Sequence, residues 1–228
     1  MNPNSWILTN SKKRFDFNDI KTQDISILDI AHSLSMQCRF NGHCKTFYSV
    51  AEHSLFMSNL LSEIEGNTKE LQLFALLHDA AECYIGDMPR PLKQNDDFFN
   101  DIEQRVMIEV EDRFSLEPTF DQRQLITWLD QLVCCYEIQA PQLLDDYLSI
   151  EKSQEQFPDL PWKQLLEEYI EDDFTSEHKI LWSIRNYIEY DIDQNDYEDN
   201  PYKDLFKCYE PMEARERFLT KYLKLTEG

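Results

Sequence analysis

Glycine is scarce: the 228 residues contain four, at positions 42, 66, 86 and 228. Gly-rich phosphate loops and the tight turns of β-sandwiches need more than that, so both fold types are disfavoured. The six cysteines (Cys38, Cys44, Cys83, Cys134, Cys135, Cys208) include no CxxC pair, which removes a zinc ribbon and a thioredoxin-like dithiol and leaves buried free thiols as the expectation. No run of about 18 apolar residues occurs, and the start MNPNSWILTNSKKRFDF has no apolar h-region, so neither a membrane span nor a signal peptide is expected. A reducing cytoplasm fits both observations. Positive charge is also short. With 22 basic against 44 acidic residues the formal net charge is −22, which makes polymeric nucleic acid a poor partner and a self-repelling, solubilising surface the plain reading. Free nucleotides stay compatible, because a metal and a few placed cations invert the sign locally.

What is present points to helices. Hydrophobic residues make up 42% of the chain, enough for one core with an elaboration. The long stretches between breakers are rich in Leu, Ile, Glu, Lys and Gln, and the fold class expected is all-α. The first 25 residues alternate aromatic and polar positions and suggest a short hairpin or an extended arm. Ile27, Ile30, Ala31, Leu34 and Cys38 form one helical stripe, with Asp24 or Ser26 as the cap. Ser49 followed by Glu52 is a capping-box pattern opening a helix that Gly66 ends. Residues 69–87 (KELQLFALLHDAAECYIGD) read as a single central helix, stopped by Gly86 and the prolines at 89 and 91. Two amphipathic helices follow at 97–115 and 121–140, and EPMEARERFLTKYLKL reads as a last helix presenting Met212, Phe218, Leu219 and Leu223. The organisation expected is a core at 1–147 with an N-terminal arm, an acidic and aromatic helical insertion at 148–205 with helices near 161–172 and 176–190, and a C-terminal helix at 206–228 returning to the core.

Chemistry concentrates at His78-Asp79, a polar pair inside the apolar run LFALLHDAA. Such a pair is costly to bury unless it is paired or ligates a metal. His53 on the preceding helix and Asp130 on a later one are positioned to converge with it. Two nitrogens and two carboxylates make a site of intermediate hardness that suits Mn, Co, Zn, Fe or Ni, with positions left for water and a phosphoryl oxygen. Glu82, four residues after His78, shares its helix face and can handle the attacking water. His43 reads as a loop-packing residue and His32 and His178 as structural.

The segments YSVAEHS (48–54), ALLHDAAE (75–82), IGDMPRPLK (85–93) and WLD (128–130) resemble the signature of HD-domain metal-dependent phosphohydrolases, in the branch of bacterial 5′-deoxynucleotidases and phage dATP triphosphohydrolases. The resemblance covers about residues 27–140. It implies an HD-domain helical bundle, a divalent transition metal on His53, His78, Asp79 and Asp130, Mg accompanying the substrate phosphates, and a homo-oligomer. It implies catalytic roles for Glu82 and Asp87 and substrate contacts from Arg39, Phe40 and Lys93. Phe40 stands where that branch carries tryptophan, a departure that bears on sugar preference. Thr127 stands one turn before Asp130, where relatives that handle a phosphate tail carry a basic residue. The expected activity is therefore hydrolysis of (deoxy)nucleoside 5′-monophosphates, with dNTP triphosphohydrolysis as the alternative and an idle nucleotide- or protein-binding scaffold as the second.

Overall fold

A computed structural model describes residues 5–62, 67–93, 95–139, 143 and 206–227. The expected insertion at 148–205 with its two helices, and the helix stop at Gly66, lie outside the described residues. The fold is all-α, apart from a two-stranded antiparallel hairpin of β1 (Trp6–Leu8) and β2 (Arg14–Asp16). The hairpin is tied to α1 (Ile27–Met36) through its turn: Ser11 donates its backbone N–H and its hydroxyl to the two oxygens of buried Asp29, each at 2.6 Å. Phe15 turns inward from β2 and stacks on Tyr84 with ring centroids 4.0 Å apart.

The α1 stripe lies where the spacing puts it, with Ile30, Ala31 and Leu34 fully buried. The helix stops at Met36, so Cys38 is not part of that stripe, and Ser26 sits at the N-cap without a side-chain capping bond. Next come α2 (Val50–Ser62) and α3 (Lys69–Leu77), which pack side by side. The Thr68 hydroxyl caps α3 by accepting the Leu71 N–H. Only half of the Ser49 capping box forms. Ser49 accepts the Glu52 N–H at 3.1 Å, but the Glu52 carboxylate accepts the Cys208 and Tyr209 N–H groups, each at 2.9 Å, and so anchors the approach to the C-terminal helix.

The expected single helix over 69–87 is broken. From His78 to Ala81 the backbone stays right-handed but tightens, with Ala80 N–H to Leu77 O and Glu82 N–H to Asp79 O bonds spanning three residues instead of four. A short α4 (Glu82–Ile85) follows and ends at Gly86, whose φ of 85° is open to glycine at no steric cost. Beyond it lie α5 (Arg90–Lys93), α6 (Asp97–Phe114, capped by Asp96) and α7 (Phe120–Gln139). Thr119 and Gln122 form the reciprocal capping box of α7.

The last helix, α8 (Pro211–Thr226), packs on α1, α2 and α3. Its inward stripe is Ala214 and Phe218, with Tyr222 and Leu225 partly buried; Met212 and Leu223, expected inward, are 53% and 49% exposed. The stripe is rotated because i, i+4 spacing from Ala214 selects Phe218 and Tyr222, leaving the flanking apolar residues on the outer edge. One core joins the hairpin, α1, α3, α4, α6 and α8, and a second joins the ends of α2 and α3 to Leu125, Trp128, Leu129 and Leu132 of α7. Among the described residues, no helix is long and apolar enough to cross a membrane.

Candidate metal centre

Side chains from α2, the tightened turn after α3, and α7 approach one another at one place. There His53, His78 and Asp79 each offer a ligand atom, all within 4.8 Å of one another. Asp130 adjoins this group at His53, with Oδ1 3.2 Å from His53 Nε2, and its Oδ2 takes Arg90 Nη2 at 2.5 Å. Asp79 Oδ2 lies 3.1 Å from His78 Nε2 and 3.9 Å from His53 Nε2. Of the four residues expected as ligands, His53, His78 and Asp79 form one cluster, and Asp130 lies beside His53 outside it.

Hydrogen bonding fixes which nitrogen of each imidazole faces the cluster. His53 Nδ1 is 2.7 Å from Glu137 Oε1, and His78 Nδ1 is 2.8 Å from the Ala75 carbonyl oxygen. A carbonyl only accepts, and an ionised carboxylate only accepts, so both rings donate from Nδ1, and in the neutral imidazole the lone pair is then at Nε2. Both Nε2 atoms are buried and have no aligned hydrogen-bond partner, although carboxylate oxygens stand within 3.2 Å. Lone pairs facing one another at that range repel unless a cation lies between them. The donor set, two imidazole nitrogens and carboxylate oxygens, is therefore chemically suited to a divalent metal. His53 is sealed, while the side chains of Asp79 and Asp130 keep 19% and 18% exposure, which leaves the centre open on one side.

Without a metal the proton is the competing cation. Burial and Arg39 push His53 toward neutrality, but Glu137 and Asp130 outweigh them and raise its pKa to about 9. Burial pushes the Asp79 carboxyl up, and the neighbouring His78 and His53 more than compensate, holding it down to about 2. Asp130 is likewise held far below the usual carboxylate range, against the effect of burial, by His53 and His78.

Around the centre the other predicted residues fall as follows. Glu82 is 4% exposed, its Oε2 has no partner, and Oε1 is 3.6 Å from Lys93 Nζ. Burial, with help from Asp79 and Asp87, pushes its carboxyl well up. Lys93 is shared between Glu82 and Glu103, the latter at 2.5 Å. The Asp87 backbone N–H donates to Gln37, whose amide donates to the Glu82 carbonyl, so one glutamine holds both ends of α4. Burial also raises the Asp87 carboxyl. Arg39 is buried, and two of its nitrogens donate to Glu137 Oε2, Nη2 at 2.9 Å and Nε at 3.2 Å; Nη1 is turned toward Asp79 Oδ2 at 3.9 Å. Phe40 lies beside it in the left-handed region, φ 54°, within a turn closed by the Arg39 N–H to Tyr48 O bond. His43, expected to pack, is exposed at the end of that turn. Arg123 is doubly bonded to Glu111 at 2.5 and 2.6 Å, and the Thr127 hydroxyl donates to the Arg123 carbonyl.

Two residues at the site were not anticipated. Arg90 covers Asp130 from the PRPLK segment. Glu137, fully buried, gathers Arg39, His53 and the Tyr48 hydroxyl on its two oxygens. Its seven-residue spacing from Asp130 puts both on one face of α7, and that spacing was the signal available in the sequence.

No family model matches this sequence. The chain is 40% identical over 114 residues to YfdR, an uncharacterized protein of Escherichia coli strain K12, covering 50% of this chain and 61% of that one. It is 42% identical over 92 residues to an uncharacterized protein of Rhodobacter capsulatus, covering 39% of this chain and 47% of that one. The chain thus spans about half of the length of these curated relatives, and neither relative's name carries an activity.

Proposed function

We propose that this protein is an HD-domain metal-dependent phosphohydrolase that removes phosphate from (deoxy)nucleoside 5′-monophosphates. The observation that carries the reading is the pair of buried imidazoles, each with Nδ1 committed to an acceptor and a bare Nε2 aimed at the carboxylates of Asp79 and Asp130. His53, His78, Asp79 and Asp130 would hold the metal. A divalent transition ion supplies Lewis acidity toward a phosphoryl oxygen when bound. Glu82, a buried carboxyl with a raised proton affinity and a free Oε2, suits the proton-accepting role toward an attacking water. Asp87 lies close behind it as a second carboxyl with raised affinity, available to pass the proton on. Lys93 and Arg39 Nη1 provide the positive charge that an overall acidic protein needs to receive a phosphate. Phe40 offers an apolar ring beside Arg39 for the sugar.

The approach to Asp130 supports the monophosphate reading. Thr127, one turn before Asp130, is uncharged and bonded to its own helix, and Arg123 one turn farther back is paired with Glu111. This favours monophosphate over dNTP triphosphohydrolysis. Incubating the four dNMPs and four dNTPs with Mn or Co, and separating orthophosphate from tripolyphosphate, tests the reading. Orthophosphate from the monophosphates is expected. Tripolyphosphate as the product supports the alternative, and no turnover of any nucleotide refutes both.

A further inference from the structure

Glu137 is fully buried, carries charge, and is used by no step above. Its Oε1 accepts from His53 Nδ1 at 2.7 Å and from the Tyr48 hydroxyl at 2.8 Å, while Oε2 accepts from Arg39 Nη2 at 2.9 Å and Nε at 3.2 Å. Each of the four contacts brings an N–H or O–H donor to one of its two oxygens, and the Arg39 guanidinium carries a fixed positive charge, an arrangement that suits an ionised carboxylate. The elements that converge on it are distant in sequence. Arg39 and Tyr48 flank the turn between α1 and α2, paired to one another through the Arg39 N–H to Tyr48 O bond, and His53 is in the first turns of α2.

We propose that Glu137 is the positioning residue of the metal centre: one carboxylate fixes His53 as the Nδ1–H tautomer, so that Nε2 is the ligand, and holds the Arg39 fork with only Nη1 turned to the site. The proposal rests on the metal-centre reading and extends it to the second layer of side chains. The chemistry is specific to a carboxylate. A neutral imidazole with nothing to receive its Nδ1 proton equilibrates between tautomers, and in one of them Nε2 carries hydrogen and binds no metal. The hydrogen bond also pushes electron density onto the ring and raises its basicity as a ligand. Arg39 needs the same anion, since a guanidinium buried without it would swing toward Asp79 and compete with the metal for that oxygen. The Tyr48 hydroxyl completes Oε1 and leaves neither carboxylate oxygen unpaired.

In Glu137→Gln the amide keeps the shape but has one acceptor oxygen for His53, Tyr48 and Arg39 together, and its NH2 meets donors. The full chain, freed of metal with a chelator, is titrated with Co(II) and followed through its visible absorption. Glu137→Gln is expected to bind Co(II) 10- to 100-fold more weakly than the parent while circular dichroism shows it folded. Tyr48→Phe, which removes one bond and no charge, is expected to lose less than tenfold. Unchanged Co(II) affinity in folded Glu137→Gln overturns the proposal. The unmodified protein supplies a measurement that needs no variant to fold: in its Zn(II) form, long-range 1H–15N correlation is expected to show His53 protonated on Nδ1, and a proton on Nε2 overturns the proposal. Neither readout involves a nucleotide. Weakened Co(II) binding without any phosphohydrolase activity in the parent would uphold the role of Glu137 and reject the functional reading, whereas activity with unchanged affinity would do the reverse.

Discussion

Glu82→Gln separates stability from catalysis at one atom. The Glu82 carboxyl is buried with Oε2 unpartnered, and Lys93 offsets it only at 3.6 Å, while Asp79 and Asp87 add like charge. These surroundings raise its pKa above the ordinary 4.5, so the folded protein holds this proton more tightly than the unfolded chain does. The stability contributed is full below about pH 4.5 and is lost as pH rises through the folded value. Gln carries no proton to lose and no charge to desolvate. In metal-free protein at pH 8 the variant is therefore expected to be more stable than the parent by at least about 1 kcal/mol, because the amide leaves the same position unpaired but carries no charge to desolvate. The difference should shrink toward pH 4.5 in urea unfolding curves. On nucleotide with Mn or Co, kcat should fall by about 10²–10⁴, the usual contribution of a positioned general base, with Co(II) affinity little changed. A variant less stable than the parent at pH 8, or one that keeps its kcat, would refute the reasoning.

Phe218 is fully buried where α8 meets the core, so Phe218→Ala should lower the unfolding free energy by about 3–5 kcal/mol in urea; a loss under about 1 kcal/mol would show that α8 does not pack there. Metal and proton compete for His53 Nε2, and with its pKa raised to about 9 the apparent Co(II) affinity should rise about tenfold per pH unit below that value and level off above it. Calorimetry in buffers of different ionisation enthalpy should record about one proton released per ion at pH 7.5, and none released would contradict the competition. The same pKa implies that, without metal, the stabilising effect of protonated His53 is full below about pH 6.5 and is lost as pH rises through about 9. Arg123→Ala should leave the ratio of monophosphate to triphosphate turnover unchanged, because its guanidinium is occupied by Glu111; a selective loss on triphosphates would contradict that reading.

Periodicity made the helices legible, and the polar pair in an apolar run made His78-Asp79 legible. Both signals arise from burial, which a sequence records directly. What stayed hidden depends on geometry between elements. The tightening at His78–Ala81 leaves no breaker in the sequence, since Ala-Ala favours a continuous helix. Glu52 fits a capping box by spacing, yet two N–H groups more than 150 residues away along the chain bind its carboxylate instead. The resemblance implies a substrate contact for Arg39, whereas its burial and its bonds to Glu137 appear only once α7 is packed against the turn after α1. Glu137 itself sits in CCYEIQ, where one acidic residue on a helix otherwise reads as solvated.

The proposed metal sits on the Nε2 atoms of His53 and His78 and the adjoining carboxylates. Crystals grown with Co(II), measured on both sides of the cobalt absorption edge, test it without any assumption about substrate. One anomalous peak per chain is expected about 2.0–2.2 Å from His53 Nε2 and His78 Nε2 and from an oxygen of Asp79, with Asp130 drawn in from the edge of the cluster. No peak at that position in a folded, cobalt-saturated crystal, or a peak that leaves both imidazoles free, would contradict it.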